Sequence, residues 1–303
     1  RRPAPHVRFL REEKRNYDYI GYNPRTFPAF ADRDIRTALG MALDVPGIIR
    51  ALRLDEFAAP AGGPYSPIFR DLYDQQAMGP LPFDTVRAKQ ILDEKGWRDS
   101  DGDGIRDQGG RPFRFTLVTN AGNARRADVS QIVQQQWKQV GVDAQLRQLE
   151  TNTMYERLTD KDFEATLAGW SVALDPDLGS TWSPESPFNF VSYANPRVFA
   201  LFEQARAAPT PEAANALWKQ AAGLIVADRP YTWLYFLDGV VGVNERLRGV
   251  RVDTYGAYQN TWEWWIPRDR QRGSAGAAAG ADSAPAGTDT VAEDTAGTDT
   301  ARR

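Results

Sequence analysis

Hydrophobic residues fall along this chain in two periods, and the alternation between them outlines the fold. Tyr17-Asp18-Tyr19-Ile20-Gly21-Tyr22 alternates as a half-buried strand, and Ile35, Leu39, Ala42, Leu43 and Ile49 then recur at helical spacing between Asp32 and Leu54. Pro46 stands inside that second stretch, two residues after the N-cap candidate Asp44, so it predicts two helices, about 32–42 and 45–53. Residues 55–82 are rich in Pro, Gly and aromatics and predict a long surface loop. Asp84 then caps a helix through Ala88, Ile91, Leu92 and Lys95, which Gly96 stops. A strand at 113–118, a helix at 124–140 ended by Gly141, a strand at 142–149, a short helix near 153–159 and a strand at 163–170 follow. This order predicts a mixed sheet covered by helices. Helices at 196–207 and 211–228, strands at 231–237 and 240–243, and a last structured piece at 250–265 complete the series.

Charge and composition narrow the function. With 37 basic and 40 acidic residues in 303, net −3, the chain has no surplus of cations to neutralise phosphates, which argues against a nucleic-acid partner. No apolar run approaches the roughly 18–20 residues of a bilayer span, and Arg1 to Pro5 lack the apolar core of a leader peptide. The expectation is a chain that is not exported or that begins after a removed segment. The absence of cysteine excludes disulfides, thiol nucleophiles and Cys-ligated zinc, and a single histidine, His6, excludes Ser-His-Asp chemistry. Nine Trp, eleven Tyr and fourteen Phe are many for a chain of mean hydropathy −0.53, so they must line a core or a pocket. From Arg268 to Arg303 the composition collapses to Gly, Ala, Ser, Thr, Asp, Pro and Arg, which predicts a disordered tail after a folded part spanning 7–267.

Several segments, in order, resemble one family. Tyr19 to Pro24, Pro28-Ala29-Phe30 and Asp32 to Asp44 are similar to the signature stretch of the family 5 extracellular solute-binding proteins, the oligopeptide, dipeptide and nickel receptors of ABC importers. The helix Asp84 to Trp97, the loop Asp101 to Asp107 and the run Ile132 to Val142 continue the likeness. So do Phe163-Glu164-Ala165, Gly169-Trp170-Ser171, Asp175-Pro176-Asp177, Asn189 to Tyr193, and Pro230 with Leu234-Tyr235. Each motif alone is weak; their shared order over the folded part is specific.

The resemblance implies an α/β fold of the type II periplasmic-binding-protein kind, a mixed β-sheet flanked by helices. Because family members are longer and built as two lobes around a ligand, it implies a second lobe at 7–237 and a return segment at 238–267 that rejoins a missing N-terminal lobe. It further implies a substrate-binding component without enzymatic activity or cofactor, periplasmic or otherwise extracytoplasmic, that binds a peptide or similar small molecule and delivers it to ABC permease transmembrane subunits. The aromatic run Trp262 to Trp265 would then lie at an unpaired interface.

Candidate contacts follow from the same alignment of motifs. In peptide-binding members an aspartate shortly after the Gly-Trp pair meets the peptide α-ammonium; Ala173 stands at that offset here. Asp175 is either its substitute or a turn former before Pro176. Trp170, with Ser171 beside it, is either a pocket wall or core packing. Arg125 and Arg126 open a helix where they form either an anion-binding fork or a solvated ion-paired surface. Asn189, like Asn120 and Asn123, is either a ligand contact or a turn residue. The loop Asp99 to Asp107, with Asp99, Asp101, Asp103 and Asp107, offers spaced carboxylates of the kind calcium uses, yet Gly110 stands where a complete EF-hand loop has glutamate, and a turn held by its own aspartate hydrogen bonds is the other reading. A secreted hydrolase using a carboxylate pair and a calcium-dependent extracellular interaction module are the alternatives.

Overall fold

The computed structural model describes residues 6–271. The chain opens with the longest strand, β1 (Val7–Tyr22), followed by α1 (Arg33–Met41), α2 (Val45–Ala51), β2 (Ala58–Pro60) and α3 (Thr85–Glu94). A small hairpin of β3 (Asp107–Gln108) and β4 (Arg111–Pro112) precedes β5 (Arg114–Asn120), α4 (Ala124–Lys138), β6 (Asp143–Leu149), α5 (Thr151–Asp160) and β7 (Ala165–Ser171). The short α6 (Gly179–Trp182), then α7 (Pro196–Arg206), α8 (Pro211–Asp228) and β8 (Tyr231–Asn244) complete the regular elements, apart from short 3-10 turns.

The helices start where the sequence supplies an acceptor. Asp32, Asp44, Asp84, Asn123, Asn195 and Thr210 each accept a backbone N–H of the first turn of α1, α2, α3, α4, α7 and α8. α3 and α4 stop where the backbone turns left-handed: Gly96 and Gly141 have φ of +82° and +81°.

Six strands form one sheet in the order β2-β8-β1-β7-β5-β6. β5 runs parallel to β6 and β7, whereas β1 is antiparallel to β7 and β8. The sheet is therefore mixed and has helices on both faces, as the βαβ pattern predicted. Alternation along β1 divides two cores: Tyr17 and Tyr19 face α5, α7 and α8, while Ile20 and Tyr22 face α1–α4. Within the second core the Trp137 indole donates to the Leu39 carbonyl at 2.9 Å, locking α4 onto α1.

Two strand expectations are corrected. β1 begins at Val7 and not at Tyr17, because Val7 to Glu12 pair with Gly239 to Asn244; this part is charged and largely open to solvent on both faces, so it carries no hydrophobic alternation. The strands expected at 231–237 and 240–243 are one unbroken strand, β8, which crosses the 237/238 boundary between the expected lobe and return segment. β1 accommodates it by bulging between Glu12 and Asn16, and β8 places both Leu234 and Tyr235 toward the α1–α4 core across a second register shift. The expected loop at 55–82 contributes β2 to the sheet edge. Of the expected disordered tail, Arg268 to Arg270 form a 3-10 turn, and residues 272–303 lie outside the described residues. Among the described residues no helix is long and apolar enough to cross a membrane.

Lys95, just after α3, contacts Asp32 and Asp34 at the start of α1, both at 2.8 Å. Burial alone would raise Asp32, but Lys95 and the Asp34 amide outweigh it, and Lys95 and Arg33 lower Asp34, so both carboxyls fall below their ordinary value of 3.8. A carboxyl lowered on folding contributes stability above its unfolded pKa and loses it as pH falls through the folded value. In Lys95→Met the loss of stability between pH 5 and pH 2.5, measured by urea denaturation, is therefore expected to be smaller than in the wild type; an equal loss would show that this contact is not coupled to folding.

Candidate ligand-binding site

β7 pairs with β5 only through Ala165 and Thr166, so its far end is held by β1 alone, with Trp170 opposite Tyr17 and Ser171 opposite Asn16. The half-buried Trp170 ring lies parallel to two neighbours, Tyr19 with centroids 6.4 Å apart and Phe190 at 5.5 Å. Phe188 meets it edge-on at 5.7 Å. These are offset and edge-to-face geometries that aromatic quadrupoles favour. A cavity of about 170 Å³ opens beside this stack, lined by Tyr17, Trp170, Ser171, Asp175, Trp182 and Phe188. It is smaller than the roughly 300–1,000 Å³ of a complete small-molecule site, and its size suits one side chain of a larger ligand. Pro64 also lines it, while Ser66 and Pro67 line a neighbouring cavity of about 390 Å³ that includes Arg11, Arg70 and Asp238.

The aromatic side chains of the wall are uncharged at neutral pH, while Asp175 and Asp177 also line the cavity. Burial raises the hydroxyls of Tyr17 and Tyr19 well above their usual range and pushes Tyr231 up to about 12. The arrangement offers flat apolar faces and exposed strand-end groups to a ligand, which suits reversible contact.

The loop after β7 is fixed from several directions. The Arg15 guanidinium donates to the Val172 carbonyl at 2.7 Å and to the Thr254 carbonyl at 2.8 Å, and the Tyr65 hydroxyl donates to the Pro176 carbonyl. Asp175 is exposed and accepts the Asp177 amide at 2.9 Å, the hydrogen bond of a turn former, while its side chain lines the cavity. Asp177 accepts the Gly179 amide and pairs with Arg206 at 2.7 Å.

Other candidates fall elsewhere. Arg125 and Arg126, at the start of α4, both reach a carboxylate that the motifs did not single out: Asp18 of β1, 3% exposed, at 2.8 and 3.0 Å. The Tyr235 hydroxyl donates to the same carboxylate at 3.0 Å, and Arg126 also donates to Asn120 at 2.9 Å. The arginine fork thus grips an internal anion behind the sheet, and Asn123 is the cap of α4. Asn189 is 5% exposed; its side chain accepts the Tyr193 amide at 2.8 Å and donates to the Tyr193 carbonyl at 2.9 Å, which commits it to the loop. Asp99, Asp101 and Asp103 are exposed and bring carboxylate oxygens within 4.8 Å of one another, each accepting amides of its own turn.

Asp18 had a signal in the sequence. In the alternation of β1 it shares a face with Ile20 and Tyr22, and a carboxylate on a buried face requires cationic partners. Gly169, directly opposite Asp18, carries a second: a Cβ there would sit 2.3 Å from both Arg126 Nη2 and Asp18 Oδ1.

Comparison with known proteins shows the family and the fold. Residues 3–191 match the family model described as bacterial extracellular solute-binding proteins, family 5 middle. The oligopeptide-binding protein AppA of Bacillus subtilis is 31% identical over 258 residues, covering 84% of this chain and 47% of AppA. The structure of that protein in complex with a nonapeptide superposes with a TM-score of 0.78 at 30% identity, covering 87% of this chain and 53% of the other. NikZ of Campylobacter jejuni, solved in complex with Ni(L-His), shares the fold with a TM-score of 0.72 at 21% identity, covering 86% and 54%. The chain spans about half the length of the curated relatives it matches.

Removing Asp18 leaves two cations facing a low-dielectric sheet. Asp18→Ala is expected to destabilise the protein by about 3 kcal/mol, the lower end for a broken buried pair because both arginines keep some access to water. Gly169→Ala is expected to destabilise through the clash with the same pair. Chemical denaturation measures both, and a change within about 0.5 kcal/mol for either would place it with ordinary surface substitutions.

Proposed function

The chain belongs to the family 5 bacterial extracellular solute-binding proteins, and from that membership we propose that it forms the ligand-contacting lobe of an ABC-importer receptor for peptides or peptide-like solutes. Trp170 and Ser171 are the contacts we assign first, with Asp175 at the cavity rim. Arg125, Arg126 and Asn189 shape the lobe behind them. The observation that carries this reading is the strand end of β7, where Trp170, packed parallel to Tyr19 and Phe190, lines an open cavity. A rigid aromatic face adds contact area with little loss of entropy, and the strand-end backbone of Ser171 can meet an extended ligand.

Release to a permease needs reversible binding, so the protein acts by closing over its ligand without covalent chemistry, outside the cytoplasmic membrane. Closure needs a second wall. Phe9, Tyr255, Tyr258, Trp262 and Trp265 are all more than half exposed, at 55%, 75%, 78%, 76% and 58%, on the outer part of β1 and the segment after β8. We assign this aromatic surface to a further lobe, in keeping with relatives about twice as long.

Native mass spectrometry of the full-length protein is expected to show a bound peptide-sized ligand. Trp170→Ala is expected to weaken binding of a mixed nonapeptide pool by about 1–3 kcal/mol, roughly 5- to 150-fold, in titration calorimetry. An unchanged affinity in a folded variant would return Trp170 to core packing.

A further inference from the structure

Lys161 breaks a local rule. It follows α5 with φ of 61° and ψ of 27°, a left-handed position that glycine occupies without steric penalty. Its backbone is clamped there: the Asn23 side chain, fully buried, donates to the Lys161 carbonyl at 2.9 Å and to the Phe163 carbonyl at 2.7 Å. A lysine retained at such a position calls for a role of its side chain.

That side chain is half-buried and reaches 28 residues ahead. Its ammonium donates to the Asn189 carbonyl at 2.5 Å and lies 5.7 Å from the centre of the Phe190 ring. Phe190 in turn stacks on Trp170 with an interplanar angle of 11°. Tyr19, fully buried within the sheet, also lies parallel to Trp170, with ring centres 6.4 Å apart. Trp170 is therefore flanked by one ring from a strand and one from a loop, and Lys161 ties that loop to the end of α5 in addition to the hydrogen bonds Asn189 makes within it.

We propose that Lys161 is a positioning residue for the ligand wall, fixing the 188–190 segment through a charged hydrogen bond and a cation–π contact so that Phe190 holds the Trp170 ring in its binding orientation. The inference rests on Trp170 being a ligand contact. It adds that affinity depends on a residue outside the cavity lining, at the end of a helix that offers the ligand nothing.

Lys161→Gly separates positioning from stability, because it removes the tether while relieving the left-handed backbone. In the full-length protein, with the mixed nonapeptide pool as probe, it is expected to keep or raise Tm while weakening binding about tenfold. Lys161→Arg keeps a cationic donor and is expected to restore affinity. Lys161→Met supplies the same comparison should the glycine variant fold poorly. Affinity unchanged in the glycine or methionine variant while Trp170→Ala still binds weakly would overturn the positioning role alone, and so would losses of Tm and affinity in parallel without rescue by arginine. Affinity unchanged in Trp170→Ala would overturn the wall itself and the positioning role with it.

Discussion

A buried carboxylate fixes how the strands and helices meet around the end of β7. Asp18 lies near the middle of the central strand β1, almost wholly out of water, between two arginines of α4 and the hydroxyl of Tyr235 on β8. Desolvating a charge is expensive, and the attraction to its partners offsets this only if the donors arrive in good geometry. Three elements must therefore stay in register around one side chain. Gly169 on β7 is the fourth, since only a residue without a Cβ leaves room for Asp18 and Arg126 to meet above it.

That constraint sits one residue from the proposed contact. Alternation along β7 puts Gly169 on the charged side of the sheet and Trp170 on the other, so the network that fixes Gly169 also fixes the direction in which Trp170 leaves the strand. From there the aromatic side chains of the wall are uncharged. Tyr19 supports it from the sheet and Phe190 from the loop, with the exposed end of β7 free to meet an extended ligand. Rigidity behind and openness in front suit a receptor that must hold a solute and release it unchanged.

Much of this was legible in the sequence, for identifiable reasons. The helices carried both an apolar stripe and a cap such as Asp84 or Thr210, and the βαβ series predicted the mixed sheet. The first ten residues of β1 escape the pattern because charged side chains on both faces erase a period of two, and β8 reads as two strands because Asp238 and Gly239 look like a turn, although Gly239 pairs with Glu12 of β1 and the Asp238 amide donates to the Phe57 carbonyl. At the site, Trp170 was singled out by its motif, but its companions Tyr19 and Phe190 are distant in sequence and meet only through strand pairing and a loop. For Arg125 and Arg126 the sequence leaves open an anion-binding fork or a solvated ion-paired surface, because nothing in the local sequence reveals that Asp18, more than a hundred residues earlier, lies across from them. Asn189 carried the ambiguity of every asparagine in a turn, and its four residue span to Tyr193 decides for the loop.

Hydrogen–deuterium exchange of the full-length protein, with and without the mixed nonapeptide pool, tests the central claim most directly. The account predicts that added peptide slows exchange at the end of β7 and the loop that follows, residues 169–178, and in the 188–190 segment that braces it. No slowing there, or protection confined to the groove around Arg33, Asn195 and Asp228 by the other end of β1, would contradict it.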